Sequence, residues 1–297
     1  MKLVSILSDG GLAAGLLEGD EVFVSDVPGL MPVIANRIDL KSRNGTWKRL
    51  ADLQLDVPIR PGAILGTGSN YVDHLDERVP ASAGNNAPKR ELEFFVKGGM
   101  TIAGLDDPFR LDEGVGAKID QETELGIVMG VGCPRFADEN TAIDHVFGYL
   151  VINDLTARDK QVRFMADGSS FMVLGASKTF DGSTRFSHYI ITADEVPNVY
   201  DLSLRTYLNG EMTQNNSTAN VINSFGRMIS FFSEGITLSA GTVITTGTPG
   251  GTGWGQDKEL GGKGYVPPEC VPARYLRPGD QVRSVVEGVG ELTFNVE

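Results

Sequence analysis

The chain has 297 residues, 41% hydrophobic and 22% charged, with a net charge of −13 and an isoelectric point near 4.7. That is ordinary globular composition, and a chain of this size builds a core that needs no disulfide staple. The acidity argues against nucleic acid and anionic membranes as partners, since both recruit clustered Lys and Arg.

Lys2–Ser8 and Glu21–Ser25 read as short apolar strands around a Gly-rich turn. Asp9, Glu18 and Asp20 interrupt the leading apolar run before a secretory hydrophobic region can form. No apolar stretch approaches the ~20 residues that span a bilayer, so a cytoplasmic protein is expected. The turn chemistry of Pro58-Ile59-Arg60-Pro61-Gly62 divides an expected small N-terminal domain, residues 1–58, from a larger one, residues 59–297.

Beyond that turn, strands are expected at residues 126–130, 148–152, 188–192, 202–208, 242–246 and 281–286, separated by Gly, Asp, Asn and Pro. One helix is expected over residues 220–234, with Val221, Ile222, Phe225, Met228, Ile229 and Phe232 at helical period and Asn220 as its cap. A second is expected over residues 155–165. The class is α+β, predominantly β. The two cysteines, Cys133 and Cys270, have no zinc spacing and make no disulfide framework.

Six segments can carry chemistry. In Asp120-Gln121-Glu122-Thr123-Glu124-Leu125, strand alternation puts Glu122 and Glu124 on one face. Two carboxylates so close repel unless a cation or proton lies between them, and hard oxygen ligands favour Mg²⁺, Mn²⁺ or Ca²⁺. Two solvated glutamates on an exposed strand would look the same. Asp154 ends an apolar run just before an expected helix, where it reads equally as an N-cap or as a site residue. His74 and Glu77 stand three apart on a short predicted helix capped by Asn70, the spacing of a base and its orienting acid, although a solvent-exposed His–Glu pair is the commoner case in general. Lys97 and Lys178 lie in apolar surroundings; each is either a snorkelling surface lysine or a charge for a substrate carboxylate or oxyanion. The loop from Thr246 to Gly253 can aim backbone N–H groups at a carboxylate, or be a plain turn.

In their order, these segments resemble the fumarylacetoacetate hydrolase family. The family pattern stands here as Asn70-Tyr71…His74…Glu77, Phe95-Val96-Lys97, Asp120…Glu122…Glu124-Leu125, Asn153-Asp154…Ala157-Arg158-Asp159-Lys160-Gln161, Lys178-Thr179-Phe180-Asp181, Asn209-Gly210-Glu211…Gln214 and Thr246-Gly247-Thr248-Pro249. The likeness covers roughly residues 62–297. It implies a rolled mixed β-sandwich, usually dimeric, with Mg²⁺ or Mn²⁺ (Ca²⁺ being possible) on Glu122, Glu124 and Asp154. It further implies a water-activating His74–Glu77 pair and an oxyanion-stabilising Lys178. Arg158, Gln161 and Thr248 look like pocket-lining positions, with Lys97 a candidate for the substrate carboxylate. The expected partner is a small 2-oxo acid. Departures from the family pattern cluster at the expected pocket rim: Gly98-Gly99-Met100, Ser187-His188-Tyr189, and Leu174 at a place often held by Trp.

The resemblance implies hydrolysis of a C–C bond in a β-diketo acid such as an acylpyruvate or fumarylpyruvate. The same metal site would also suit oxaloacetate decarboxylation or dehydration of a 2-keto-3-deoxy sugar acid. A non-catalytic relative would be expected to have lost an acid ligand, and none is lost here.

Overall fold

The computed structural model describes residues 1–77, 92–112, 114–167 and 169–297. Among these, no helix is long and apolar enough to cross a membrane.

The strand Thr123–Met129 shows how the sequence organises the fold. All seven residues are buried. Leu125, Ile127 and Met129 alternate into one hydrophobic cluster, and Val128 enters a second on the opposite face. A strand covered on both faces belongs in the middle of a sheet. It pairs antiparallel with Val146–Asp154 on one side and with Val243–Thr245 on the other.

From that centre a twelve-stranded sheet extends both ways. One direction runs through Val243–Thr245, Ala63–Gly68 and Glu93–Gly98, with a parallel step between the first two. The other runs through Val146–Asp154, Ile190–Thr192, Lys2–Ser8, Gly11–Glu18, Glu21–Ser25 and Gly45–Arg49. Thus Lys2–Ser8 hydrogen-bonds directly to Ile190–Thr192, and the N-terminal strands continue the large sheet.

A separate antiparallel sheet orders Glu211–Ser217, Ser203–Leu208, Gln281–Val286 and Gly290–Asn295. Its first hairpin turns at Asn209-Gly210, with φ of 54° and 84°. Positive φ at both central residues is the type I′ geometry that matches strand twist, and Asn-Gly is its preferred sequence. The result is the expected α+β, mainly β architecture, and neither sheet closes on itself.

Both expected helices are shorter than the pattern suggested. The 220–234 segment is helical only over Phe225–Gly235, where Ser224 Oγ accepts from Arg227 N at 3.1 Å as the cap. Asn220 instead turns its amide to Asn216 Oδ1. The 155–165 segment yields one turn, Arg158–Gln161. Leu155 N already donates to Ser183 O at 2.9 Å, and Thr156–Ala157 pairs with Ile119–Asp120. Sheet bonds claim that backbone before a helix can begin.

Candidate active site

Register, more than sequence proximity, assembles the acids. In the antiparallel pair, Thr123 faces Asn153, so the next position sets Asp154 opposite Glu122; Asp154 N donates to Glu122 O at 2.9 Å. Directly opposed residues share a face of the sheet, and so do residues two apart on one strand. Glu122, Glu124 and Asp154 therefore converge. One carboxylate oxygen from each lies within 4.8 Å of the others, and all three residues are buried.

That spread fits a hard divalent cation, whose oxygen ligands sit at about 2.0–2.6 Å and so within about 5 Å of one another across the ion. Asp154 does not cap a helix; it is the last residue of its strand.

Three cations balance the acids. Lys178 Nζ donates to Glu122 Oε2 and, at 2.7 Å, to Asp154 Oδ2. Lys97 Nζ donates to Asp154 Oδ1 and to Ser183 O. Arg158 holds Glu122 Oε1 with one arm, Gln161 Oε1 at 2.8 Å with the other, and Asp120 Oδ2 through Nε at 2.9 Å. Its guanidinium lies 4.7 Å from the centre of the Trp254 ring. None of the three is a snorkelling surface residue: Lys97 and Arg158 are each 1% exposed.

These contacts split the two glutamates electrostatically. Burial alone would raise the Glu122 carboxyl, but Arg158 and Lys178 hold it well below the usual carboxylate range. Glu124 has no cation of its own. Burial, reinforced by Asp154 and Glu122, pushes it up to about 8. Burial also works against the Lys178 ammonium, yet Asp154, Glu122 and Glu124 outweigh it and keep that lysine charged. For Lys97, burial wins and lowers the pKa despite Asp154.

His74 and Glu77 sit on and just after the single-turn helix Val72–Asp76, whose N-cap is Tyr71; Asn70 instead bridges to Thr246 O and Asn223. His74 Nδ1 and Glu77 Oε1 are 2.6 Å apart, and both residues are buried. Burial opposes the Glu77 charge, but His74 and Thr252 overcome it and keep the carboxylate ionised.

The Gly-rich loop does aim its N–H groups at carboxylates, and they are the protein's own. Gly247 N donates to Glu124 Oε2 at 2.8 Å. Gly251 N and Thr252 N both donate to Glu77 Oε2. Gly253 N and Trp254 N donate to the two oxygens of Asp120. Gly251 adopts φ 98°, and a Cβ there would come within 2.2 Å of Thr213 O, so only glycine fits. One loop thus clamps the acid cluster, the His–Glu pair and the arginine anchor.

His74, Glu122, Glu124, Arg158, Gln161, Lys178 and Thr248 line a single small cavity with Trp254, Phe95, Met172 and Leu174. Thr248 Oγ1 donates to Thr123 O and accepts from Gln214 Nε2, which fixes its position. Lys97, hydrogen-bonded to Asp154, is not in the cavity wall, and neither is Asp154 itself.

A model of the fumarylacetoacetate (FAA) hydrolase C-terminal family matches residues 63–297. The chain belongs to the fumarylacetoacetate hydrolase family. Oxaloacetate tautomerase YisK of Bacillus subtilis is 32% identical over 249 residues, 83% of this chain and 74% of that protein. Among solved structures, fumarylacetoacetate hydrolase from Exiguobacterium antarcticum superimposes with a TM-score of 0.79 at 30% identity, covering 100% of this chain and 99% of that one. The 5-carboxymethyl-2-hydroxymuconate delta-isomerase of Mycobacterium smegmatis follows at 0.73 and 28%, covering 100% and 98%. The family's enzymes named here thus include a hydrolase, an isomerase and a tautomerase.

Within this family member, sequence reasoning did not single out Asp120, Trp254 or Thr252. Asp120 was visible in its motif, but its task depends on Arg158 and on the Gly253–Trp254 amides, which are distant in sequence. Glu77 showed no sequence sign that Thr252 Oγ1 would reach it at 2.6 Å.

Proposed function

We propose that the protein is a divalent-metal-dependent hydrolase that cleaves a C–C bond in a β-diketo acid of the acylpyruvate or fumarylpyruvate type. The observation that carries this reading is the buried His74–Glu77 pair opening on the same cavity as Glu122 and Glu124. A Mg²⁺ or Mn²⁺ ion held by Glu122, Glu124 and Asp154 would supply Lewis acidity at the 2-oxo-acid end of the substrate.

The chain's own groups do the rest. Nδ1–H donation to Glu77 leaves His74 Nε2 as the basic nitrogen, and Glu77 steadies the imidazolium formed when it takes a proton. The proton comes from water, whose oxygen attacks the carbonyl remote from the carboxylate. Lys178, kept charged by its neighbours, donates to the oxyanion that develops there. The C–C bond then breaks with its electrons on the pyruvate-side carbon, and the imidazolium returns the proton to that carbon. Arg158, fixed by Asp120 and Gln161, holds Glu122 in place throughout.

A second reading has its own support. His74 could move a proton between carbon and oxygen with no water added, and the likeness to an oxaloacetate tautomerase favours that use of the site. Turnover in ¹⁸O-labelled water separates the two. Hydrolysis gives two fragments with label in the new carboxylate, tautomerisation gives an unfragmented isomer with no label in any carboxylate, and decarboxylation gives CO₂. Fragmentation with label incorporation is expected; an isomer alone would refute the hydrolase reading.

A further inference from the structure

The cavity wall is mixed: Phe95 lies against Lys178 and Trp254 against Arg158, while Met172 and Leu174 are its remaining apolar residues and Glu93 is a further acid. The cavity-lining cations Arg158 and Lys178 are already bound to carboxylates of the chain itself. Among the described lining residues, no further Lys or Arg is present to receive a second substrate carboxylate. A carboxylate arm lying against Met172 and Leu174 would lose its hydration and gain no free cation among those residues.

The free volume points to the same wall. It is about 20 Å³, room for roughly one water, so a substrate enters only if something yields. Glu124 and Asp154 sit on adjacent central strands of the large sheet, and Glu122 immediately precedes the first of them. Met172 belongs instead to a hairpin, Val162–Phe164 with Ser170–Met172, that forms only a two-stranded sheet of its own. A lone two-stranded hairpin is marginally stable, and methionine is unbranched and adaptable. Leu174 follows at the start of the five-residue helix Leu174–Lys178. On the same hairpin face as Met172, diagonal to it, lies Phe164, 60% exposed.

We propose that Met172 and Leu174 determine specificity by receiving an uncharged, apolar acyl arm, which leaves the cavity across Phe164. This rests on the hydrolase reading above. It says which β-diketo acids the site prefers: alkanoylpyruvates over dicarboxylic ones.

The test uses the full chain loaded with Mn²⁺ and three acids: acetylpyruvate, hexanoylpyruvate and fumarylpyruvate. kcat/KM is expected to rise by up to about fourfold per added methylene, the factor for burying a CH₂ group, and to favour hexanoyl over fumaryl at least about tenfold. Leu174→Arg should reverse that ratio, and Met172→Ser should flatten the dependence on chain length. Preference for fumarylpyruvate, a flat series in the wild type, or ratios unmoved by both variants would overturn the proposal. Calorimetric binding of the same acids to His74→Ala repeats the series without turnover. A protein that binds in this order but cleaves none of the acids would contradict the hydrolase reading while upholding the apolar arm.

Discussion

Glu122 and Glu124 are two residues apart, the first just before the strand Thr123–Met129 and the second within it; they are equally buried and differ in almost everything else. Glu122 is gripped by Arg158, Lys178 and Thr156, and is ionised far below the usual range. Among the described residues, Glu124 accepts only from the Thr245 hydroxyl and the Gly247 amide, and it rises to about 8. One half of the acid cluster is thus a set of internally neutralised ion pairs that holds the site together. The other half is a carboxyl kept next to two anions with no cation assigned to it. A buried pair is costly to break because the surviving partner is left unsolvated, whereas a neutral acid has little to lose on conversion to its amide.

Breaking the gripped half should give the largest effect. Glu122→Gln strands Arg158 and Lys178, and a loss of about 3–5 kcal/mol is expected in denaturant melts, together with loss of divalent-cation binding and turnover. Next is the proton carrier. His74→Ala should lower kcat by about 10²–10⁴-fold while cation binding, read by calorimetry, persists. Lys178 donates to Glu122 and Asp154, two of the three carboxylates that would hold a cation, and so would compete with it. Lys178→Met should cost about 10²–10³-fold in kcat, as for loss of an oxyanion donor, yet bind the cation at least as tightly as wild type. Weaker binding would mean that the lysine supports the metal site and does not compete with it.

The smallest effect should come from the ungripped half. In metal-free protein below the ordinary carboxylate range, where the side chain is neutral both in the fold and in the unfolded chain, Glu124→Gln should change stability by only about 1 kcal/mol or less, and the variant should gain on wild type by about 3 kcal/mol toward pH 7. The sign follows from the raised folded value. The fold binds this proton more tightly than the unfolded chain does, so wild type loses stability relative to the variant as pH climbs from the ordinary carboxylate range to about 8, then levels. Parallel pH–stability curves for the two proteins would show that Glu124 is not so displaced.

The sequence carried much of this architecture, unevenly. Strand alternation was enough to put Glu122 and Glu124 on one face. Asp154 was ambiguous because its place depends on the register between two strands about thirty residues apart, which no local pattern encodes. The residues 155–165 failed as a helix for the same reason: partners at Ser183 and Asp120 outcompeted an amphipathic local pattern. Ser224 displaced Asn220 as a cap although both are good capping residues, since Asn220 found Asn216. The loop clamps on Glu77 and Asp120 were unreadable, because each joins residues more than 130 positions apart.

The measurement closest to the central claim is a titration of chelator-stripped protein with Mn²⁺ or Mg²⁺, followed at each step by cleavage of an acylpyruvate. The account predicts one site per chain, turnover that appears in proportion to its filling, and neither response in Glu122→Gln. Full activity in the stripped protein, or cation binding that survives Glu122→Gln unchanged, would contradict it.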